Sequence, residues 1–200
     1  MQDSLPVHDT ALPGTQIALL EVASPALEDD FFRYLARHIQ DNGSLETGYF
    51  QPLSRSASRL SEKKEAQFRA SLKLPFGVPG WRKTWVARIA SNMHEGTILG
   101  HVDLRARPES CAAHRCLLGM GVASSARRQG LGQRLLTHAC DWAAHDAALE
   151  WLDLQVLAEN HAAIALYRRA GFITTGQTAD MYRIDGKAIG LINMTLALNG

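Results

Sequence analysis

Residues 117–136, LLGMGVASSARRQGLGQRLL, decide how this chain folds. The segment begins with the apolar run 117–122, continues through a short turn and two arginines, and enters a glycine-broken loop before an amphipathic helix pattern. A strand followed by such a loop and a helix predicts an anion site, because loop and helix-terminal N–H groups bind phosphate. Gly119 and Gly121 weaken a strand, so they predict a β-bulge or a ligand lying against bare backbone.

The spacing Arg127-x-x-Gly130-x-Gly132 resembles the acetyl-CoA signature of the GNAT superfamily of N-acetyltransferases. A second segment, residues 160–172 with the sequence NHAAIALYRRAGF, resembles the second CoA motif of that family. Other phosphate loops do not match. A dinucleotide fingerprint needs a third glycine where this chain has Leu135, and neither G-x-x-x-x-G-K-[ST] nor G-x-S-x-G occurs.

The resemblance implies an α/β fold of three layers, with a mixed, partly antiparallel central sheet and helices on both faces. It also implies that loop amides hold the CoA pyrophosphate, that the last strand residues pair with pantetheine, and that a strand N–H around residues 120–122 stabilises the oxyanion. No metal site is expected. The acetyl-CoA contacts implied by the resemblance are Met120, Gly121, Val122, Arg127, Arg128, Gln129, Gly130, Leu131, Gly132, Gln133 and Asn160.

Tyr167 occupies the place in N-x-x-A-I-A-L-Y where many family members carry their general acid, so the resemblance implies that it protonates the leaving thiolate. The alternative is a tyrosine that only packs its helix against the sheet. Asn160 either binds the CoA arm, caps a helix, or does both. Arg127 and Arg128 are expected to flank the phosphates, since cations at a helix start oppose its dipole unless an anion arrives.

The general base stays open. The second motif is most similar to that of ribosomal-protein N-terminal acetyltransferases, which carry a glutamate five residues before the asparagine. This chain has Gln155 there, and an amide cannot accept a proton near neutral pH. The remaining candidates for the base are Asp153, His101, Asp103 and Glu46.

Length and composition exclude several classes. Two hundred residues, 46% of them hydrophobic, fit one soluble domain over residues 16–200, preceded by a flexible tail over residues 1–15. A net charge of +1 disfavours nucleic acid and anionic membranes as partners. Three cysteines without metal or disulfide spacing indicate reduced thiols in a cytoplasm. No basic, apolar leader and no membrane-spanning run is recognised.

Hydrophobic periodicity outlines the remaining elements. Ser24 and Pro25 begin a helix that ends near Asn42. A second helix is expected over residues 54–73, and residues 97–107 alternate between a core face and a face toward solvent or a cleft. The expected strands are 16–23, 83–91, 97–107, 115–123, 151–158 and two in 173–198, with turns at 92–96 and Asp185-Gly186. Further helices are expected from Leu131 and over residues 160–169.

Four aromatic residues have two possible roles, and two histidines have a predicted position. Tyr49, Phe50, Phe76 and Trp81 either line the acceptor pocket or cap the edge of the core. His138 and His145 are expected on the wet side of the helix that follows the glycine loop.

The resulting functional prediction is transfer of an acetyl group from acetyl-CoA to a primary amine of a small molecule or peptide, by direct attack in a ternary complex. The alternative is a CoA-binding module without transferase activity, used for sensing or assembly.

Overall fold

A computed structural model of the chain describes residues 17–89 and 97–198. Within those residues, seven strands form one sheet in the order β1-β2-β3-β4-β5-β7-β6. The strands are β1 (Ile17–Glu21), β2 (Arg82–Ile89), β3 (Ile98–Ala106), β4 (Arg115–Val122), β5 (Trp151–Leu157), β6 (Ile173–Ile184) and β7 (Lys187–Ala197). The α-helices are α1 (Pro25–Gln40), α2 (Glu62–Leu72), α3 (Leu131–Asp141) and α4 (His161–Arg169).

The sheet is mixed, and helices cover both of its faces. Strand β4 pairs with β5 in parallel, and every other neighbouring pair is antiparallel. Helices α3 and α4 pack on one face through residues such as Leu135 and Ile164. Helices α1 and α2 pack on the other through residues such as Phe31 and Phe68. The predicted α/β architecture of three layers, with a mixed central sheet and helices on both faces, is confirmed.

Strands β4 and β5 separate soon after they meet. Their pairing runs only from Arg115 opposite Trp151 to Leu117 opposite Asp153, whereas β3 stays paired with β4 as far as Val122. Residues 118–122 of β4 therefore lie open on the side of β5. We call the space between residues 118–122 and residues 154–157 the β4–β5 gap.

Helix α1 begins as predicted. The Ser24 hydroxyl accepts a hydrogen bond from the Leu27 N–H at 3.3 Å, and Pro25 occupies the first turn, where a missing N–H has no cost. The apolar stripe buries Phe31 and Leu35 against the sheet.

The prediction of a helix over residues 54–73 is wrong for its first eight residues, since α2 begins at Glu62 with Ser61 as its N-cap. The preceding segment is organised by Asn42, which is fully buried. Its amide Nδ2 donates to Ser58 Oγ at 2.9 Å, and its Oδ1 accepts from the N–H groups of Phe50 and Gln51 at 2.8 Å. Serine hydroxyls that bond locally compete with helix formation there.

The predicted strict alternation along β3 is also wrong at its start. The register shifts between Ala87 and Arg88 of β2, so that Ile98 joins the core under α1 while Leu99 joins the core under α3. A bulge adds one residue to one strand, so the side chains beyond it point to the opposite faces of the sheet from those that strict alternation predicts. The predicted turn over 92–96 and the predicted tail over 1–15 lie outside the described residues.

His138 departs from its predicted place on the wet side of α3. It is half-buried, and its ring meets the Trp85 ring edge-on with centroids 5.3 Å apart. The helix continues from Trp142 to Asp146 as a π-helical turn, which carries the exposed His145. Across residues 17–89 and 97–198, no helix combines the length and apolar character needed to span a bilayer.

Candidate functional site

The glycine loop delivers free N–H groups to the start of α3. Gly130 caps the helix in the left-handed conformation with φ +75°, a region that favours glycine. The first hydrogen bond of the helix runs from the Arg134 N–H to the Gly130 carbonyl at 3.2 Å. The N–H groups of residues 131–133 therefore have no partner within the helix and can bind an anion. Leu131 is 2% exposed, and its side chain packs in the core.

The polar side chains of the loop lie beside this helix start. Arg127 Nε donates to the Val122 carbonyl at 3.1 Å, which holds the guanidinium at the end of β4. Arg128 is exposed. Gln129 Nε2 donates to the Ser125 carbonyl at 3.2 Å, and Gln133 is exposed on the first turn of α3.

Arg128 has a left-handed backbone with φ +60°, which is costly for a residue with a Cβ. We expect Arg128→Gly to be more stable than Arg128→Ala by about 1 kcal/mol, because both variants lose the side chain but only alanine keeps the strain. Urea unfolding of the two variants measures the difference. An equal or lower stability of the glycine variant would contradict the assigned conformation.

The backbone of β4 alternates between β3 and the β4–β5 gap. The Ala123 N–H donates to the Leu99 carbonyl at 2.9 Å, and the register places Gly121 opposite His101. Successive residues of a strand direct their N–H and C=O groups to opposite sides. Gly121 therefore pairs with β3, whereas Met120 and Val122 direct their N–H groups into the gap.

The glycines of β4 make room for protein side chains, and the bulge that they predicted is absent between β3 and β4. The β3–β4 register is unbroken. A Cβ placed on Gly121 would lie closer to His38 Nε2 than real atoms approach, and 2.8 Å from His101 Cε1. A Cβ on Gly119 would lie 2.9 Å from Asp103 Oδ2.

Gly132 allows a third close contact, between helices α3 and α4. A Cβ there would lie 3.1 Å from Leu166 Cδ2 and 3.7 Å from Met120 Cε. The first turn of α3 can therefore sit close to α4 and to the strand that borders the gap.

A buried cluster of Tyr34, His38 and His101 covers Gly121 on the α1 face. The Tyr34 hydroxyl donates to the Gly121 carbonyl at 3.3 Å and lies 3.3 Å from His101 Nδ1. The His38 ring stacks on Phe50 with centroids 4.8 Å apart. Burial, His101 and the Arg127 guanidinium lower the pKa of His38 to about 3. Burial lowers the pKa of His101 to about 4.

Tyr167 lies on the opposite face of the gap. It is 7% exposed and belongs to the core cluster that contains Val156 of β5, and the partly buried Met120 of β4 packs against this cluster. No described residue hydrogen-bonds to its hydroxyl, and burial raises its pKa well above the ordinary value. The phenol is therefore protonated at every physiological pH.

Asp153 lies at the closed end of the gap and is hydrogen-bonded to three side chains. Its carboxylate accepts hydrogen bonds from Arg115 Nη2 at 2.6 Å, Arg107 Nη1 at 2.8 Å and Thr195 Oγ1 at 2.7 Å. Although burial opposes ionisation, these bonds and charges hold the pKa of Asp153 below its ordinary value. A carboxylate held in this way is a poor proton acceptor.

The other acidic candidates are no better placed. Asp103 is 5% exposed and lies 3.1 Å from Arg105 and 3.9 Å from Arg82. Glu46 is exposed in the segment between α1 and α2.

Gln155 lies on the same face of β5 as Asp153 and is exposed, although β5 is an interior strand. Its Nε2 donates to Asn193 Oδ1 at 3.0 Å. This part of the sheet is therefore open to solvent at Gln155.

A cavity of about 380 Å³ lies next to this open face, between the α1–α2 segment, the start of α4 and the start of β7. Tyr49 and Asn160 line it. Asn160 is the predicted N-cap of α4, and its Oδ1 accepts from the Ala163 N–H at 3.3 Å. The Tyr49 hydroxyl donates to Asp185 Oδ2 at 2.5 Å, which joins this segment to the β6–β7 turn.

The four aromatic residues predicted either to line the acceptor pocket or to cap the core edge divide into two pairs. Tyr49 and Phe50 lie on the side of the cavity and of His38. Phe76 and Trp81 pack instead on Trp142 at the far end of α3, with centroids 5.4 and 6.2 Å from it. The core-edge reading therefore holds for this second pair.

Tyr34 and His38 are the site residues that the sequence analysis missed. Both lie on α1, about 80 residues before Gly121, and the local pattern marks α1 only as an amphipathic helix. The available signal was the pair of glycines in β4, because a glycine in a central strand indicates that something approaches it closely.

Comparison with known proteins gives the same class as the fold and the loop. The sequence model of the Acetyltransferase (GNAT) family matches residues 55–172. The chain therefore belongs to the GNAT family of acetyltransferases, and the predicted family and enzyme class are confirmed.

One curated relative is the N-alpha-acetyltransferase RimI of Mycobacterium tuberculosis, which is 32% identical over 95 residues. That match covers 46% of this chain and 55% of the relative, so the chain spans about half of the relative's length.

Solved structures extend the likeness to nearly the whole chain. A GNAT-family acetyltransferase from Streptococcus pneumoniae is 26% identical with a TM-score of 0.70, covering 91% of this chain and 99% of that one. A spermidine N-acetyltransferase from Vibrio cholerae, solved with CoA and spermine, is 16% identical with a TM-score of 0.69. The match covers 92% of this chain and 96% of the Vibrio cholerae chain. At 16% identity, the likeness shows a shared fold only.

Proposed function

We propose that this chain transfers an acetyl group from acetyl-CoA to a primary amine of a small molecule or peptide, in a complex that holds both substrates. The observation that carries the proposal is the β4–β5 gap, which opens beside a helix start with free N–H groups. Acetyl-CoA supplies the activated acyl group as a thioester. The residues of the chain must bind its phosphates, orient its thioester and manage two protons.

The pyrophosphate site consists of the N–H groups of residues 131–133, with Arg127 and Arg128 beside them. Gly130 and Gln129 complete the loop, and Gly121 separates the two strand residues that face the gap. Pantetheine would pair with the N–H and C=O groups that β4 directs into the gap. Asn160, at the start of α4, would bond the CoA arm, and it also lines the 380 Å³ cavity.

The thioester carbonyl needs a donor where negative charge develops. The N–H groups of Met120 and Val122 serve, because both point into the gap and are fixed by the sheet. Tyr167 donates its proton to the leaving thiolate from the α4 face. The amine enters from the opposite face, on which Gln155 is exposed.

Three free cysteines, Cys111, Cys116 and Cys140, support a reducing compartment, and we assign the protein to the cytoplasm.

The first test is a calorimetric titration with acetyl-CoA, CoA and NAD, followed by acetylation assays with a panel of alkylamines, polyamines and short peptides. We expect acetyl-CoA and CoA to bind and NAD not to bind. We also expect at least one amine to be acetylated. Binding of acetyl-CoA without turnover of any amine would favour the CoA-binding module instead.

Gly130→Glu tests the phosphate site, because a side chain added at this position meets no other atom within 4 Å and projects from the loop. We expect acetyl-CoA to bind at least about tenfold more weakly, since the new carboxylate repels the phosphates. Gly130→Gln carries the same backbone strain without the charge and is the matched control. Equal affinities of the two variants would contradict a phosphate site at this loop.

A further inference from the structure

The two faces of the β4–β5 gap carry different proton-handling groups. Tyr167 stands on the α4 face, and the His38 imidazole stands on the α1 face, against Gly121. We propose that His38, through Nε2, accepts the proton that the acceptor amine loses during acetyl transfer. This assignment rests on the proposed function and deepens it.

Position is the first argument. Gly121 lies between Met120 and Val122, whose N–H groups point into the gap, so a group against Gly121 is next to the expected thioester carbon. His38 presents a nitrogen at that point, because Nε2 is its closest atom to the Cβ position of Gly121. His101 presents the carbon Cε1 there, and its Nδ1 lies 3.3 Å from the Tyr34 hydroxyl.

The second argument is the unused hydrogen-bonding capacity of His38. Its side chain is almost fully buried, yet neither ring nitrogen has a hydrogen-bond partner among the described residues. Leaving a buried polar group unpaired costs about 1–3 kcal/mol. The described residues contain three other buried side-chain atoms without a hydrogen-bond partner, which belong to Arg82 and Thr84 of β2 and to His138 of α3.

The third argument is that the competing bases are occupied. Asp153 is held by two arginines and a threonine, and Asp103 lies beside two further arginines. Gln155 carries an amide. His38 is unprotonated at neutral pH because burial lowers its pKa to about 3, and a weak base suffices because the attacking nitrogen becomes strongly acidic as its bond to carbon forms.

The step balances as follows. The amine nitrogen attacks the thioester carbonyl carbon, the C–N bond forms and the C–S bond breaks. One proton passes from the amine nitrogen to Nε2 of His38. In this step His38 starts as the neutral tautomer that carries its proton on Nδ1. The Tyr167 hydroxyl gives its proton to the departing sulfur. Exchange with solvent then returns a proton to Tyr167 and removes one from His38.

The test uses the amine that the wild-type protein acetylates fastest. We expect His38→Ala and His38→Gln to lower kcat by about 100-fold or more, with the Kd for acetyl-CoA unchanged. Added imidazole should restore activity to His38→Ala. Pyrazole has the same ring size but is a much weaker base, and it should not restore activity. Restoration by both compounds would assign His38 a packing role and overturn the proposal.

His101→Gln is the matched control, since His101 packs against the same glycine. An equal loss of kcat in His101→Gln and His38→Gln would overturn the proposal, as would full activity of His38→Gln. Melting temperature and acetyl-CoA affinity show whether each variant is folded. Absence of turnover in the wild-type protein would contradict the proposed function itself, whereas an active His38→Gln would contradict only this assignment.

Discussion

Tyr167→Phe is expected to lower kcat by about 100-fold or more while leaving the Kd for acetyl-CoA unchanged. The substitution removes one oxygen atom and keeps the ring, which is 5.7 Å from the Phe172 ring in the core between α4 and the sheet. Without that hydroxyl, the CoA thiolate must leave unprotonated or take its proton from water. Steady-state kinetics at saturating amine and calorimetry with acetyl-CoA measure the two quantities.

The same substitution should not destabilise the fold. The Tyr167 hydroxyl has no hydrogen-bond partner among the described residues, so its removal leaves no group unpaired. Tyr34→Phe is the matched control, because it makes the same chemical change on the other face of the gap. That variant loses the bond to the Gly121 carbonyl and should lose about 1 kcal/mol of stability.

The comparison of the two tyrosine variants separates an acid from a packing residue. If Tyr167→Phe retains wild-type kcat, the hydroxyl takes no part in the reaction, and the alternative of a tyrosine that only packs is correct. If both variants lose kcat to the same extent, the effect comes from the shape of the gap.

The folded protein is expected to lose stability steeply as the pH falls from about 6.5 to about 4. His38 and His101 have folded pKa values of about 3 and about 4, below the ordinary value of 6.5. Between these values the unfolded chain binds more protons than the folded one, so stability rises with pH in this window and is lost as the pH falls through it. Each histidine contributes a slope of up to about 1.4 kcal/mol per pH unit.

Several charged groups surround this pair. The Arg127 guanidinium adds to the lowering of the His38 pKa. At His101, the Asp103 carboxylate raises the pKa and Arg82 lowers it. The pKa values of Asp153 and Asp185 are lowered below 3.8, so these carboxylates affect stability at more acidic pH than the histidines do.

Urea unfolding at several pH values between 7 and 4.5 measures the slope. His101→Gln should reduce it by about the contribution of one histidine, because glutamine does not titrate in this range. A wild-type slope no steeper than that of the variant would show that the imidazoles are protonated or solvated in the folded state.

Two short motifs allowed a candidate site to be predicted from sequence. Residues 127–132 and 160–167 are short segments in which the spacing of glycines, arginines, asparagine and tyrosine is visible without any long-range contact. The helix starts at Pro25, Leu131 and His161 followed from local capping and periodicity. These features depend on backbone conformations that neighbouring residues impose.

Other features followed only from long-range packing. The bulge between β2 and β3 reverses the faces of Ile98 and Leu99, and no residue within β3 signals it. The irregular segment before α2 depends on Asn42, whose side chain bonds to residues up to 16 positions away. Local propensity favoured a helix there, and tertiary hydrogen bonds overrode it.

The sequence by itself determined the family and the layered fold and located the proposed donor loop, because those features are encoded in short motifs and in the period of the apolar residues. Only the tertiary structure decided which side chains surround Gly121, beside the proposed acceptor site. Sheet pairing brings His101 opposite Gly121, and the packing of α1 adds Tyr34 and His38. Residues so far apart in the chain become neighbours only when the sheet forms and α1 covers it.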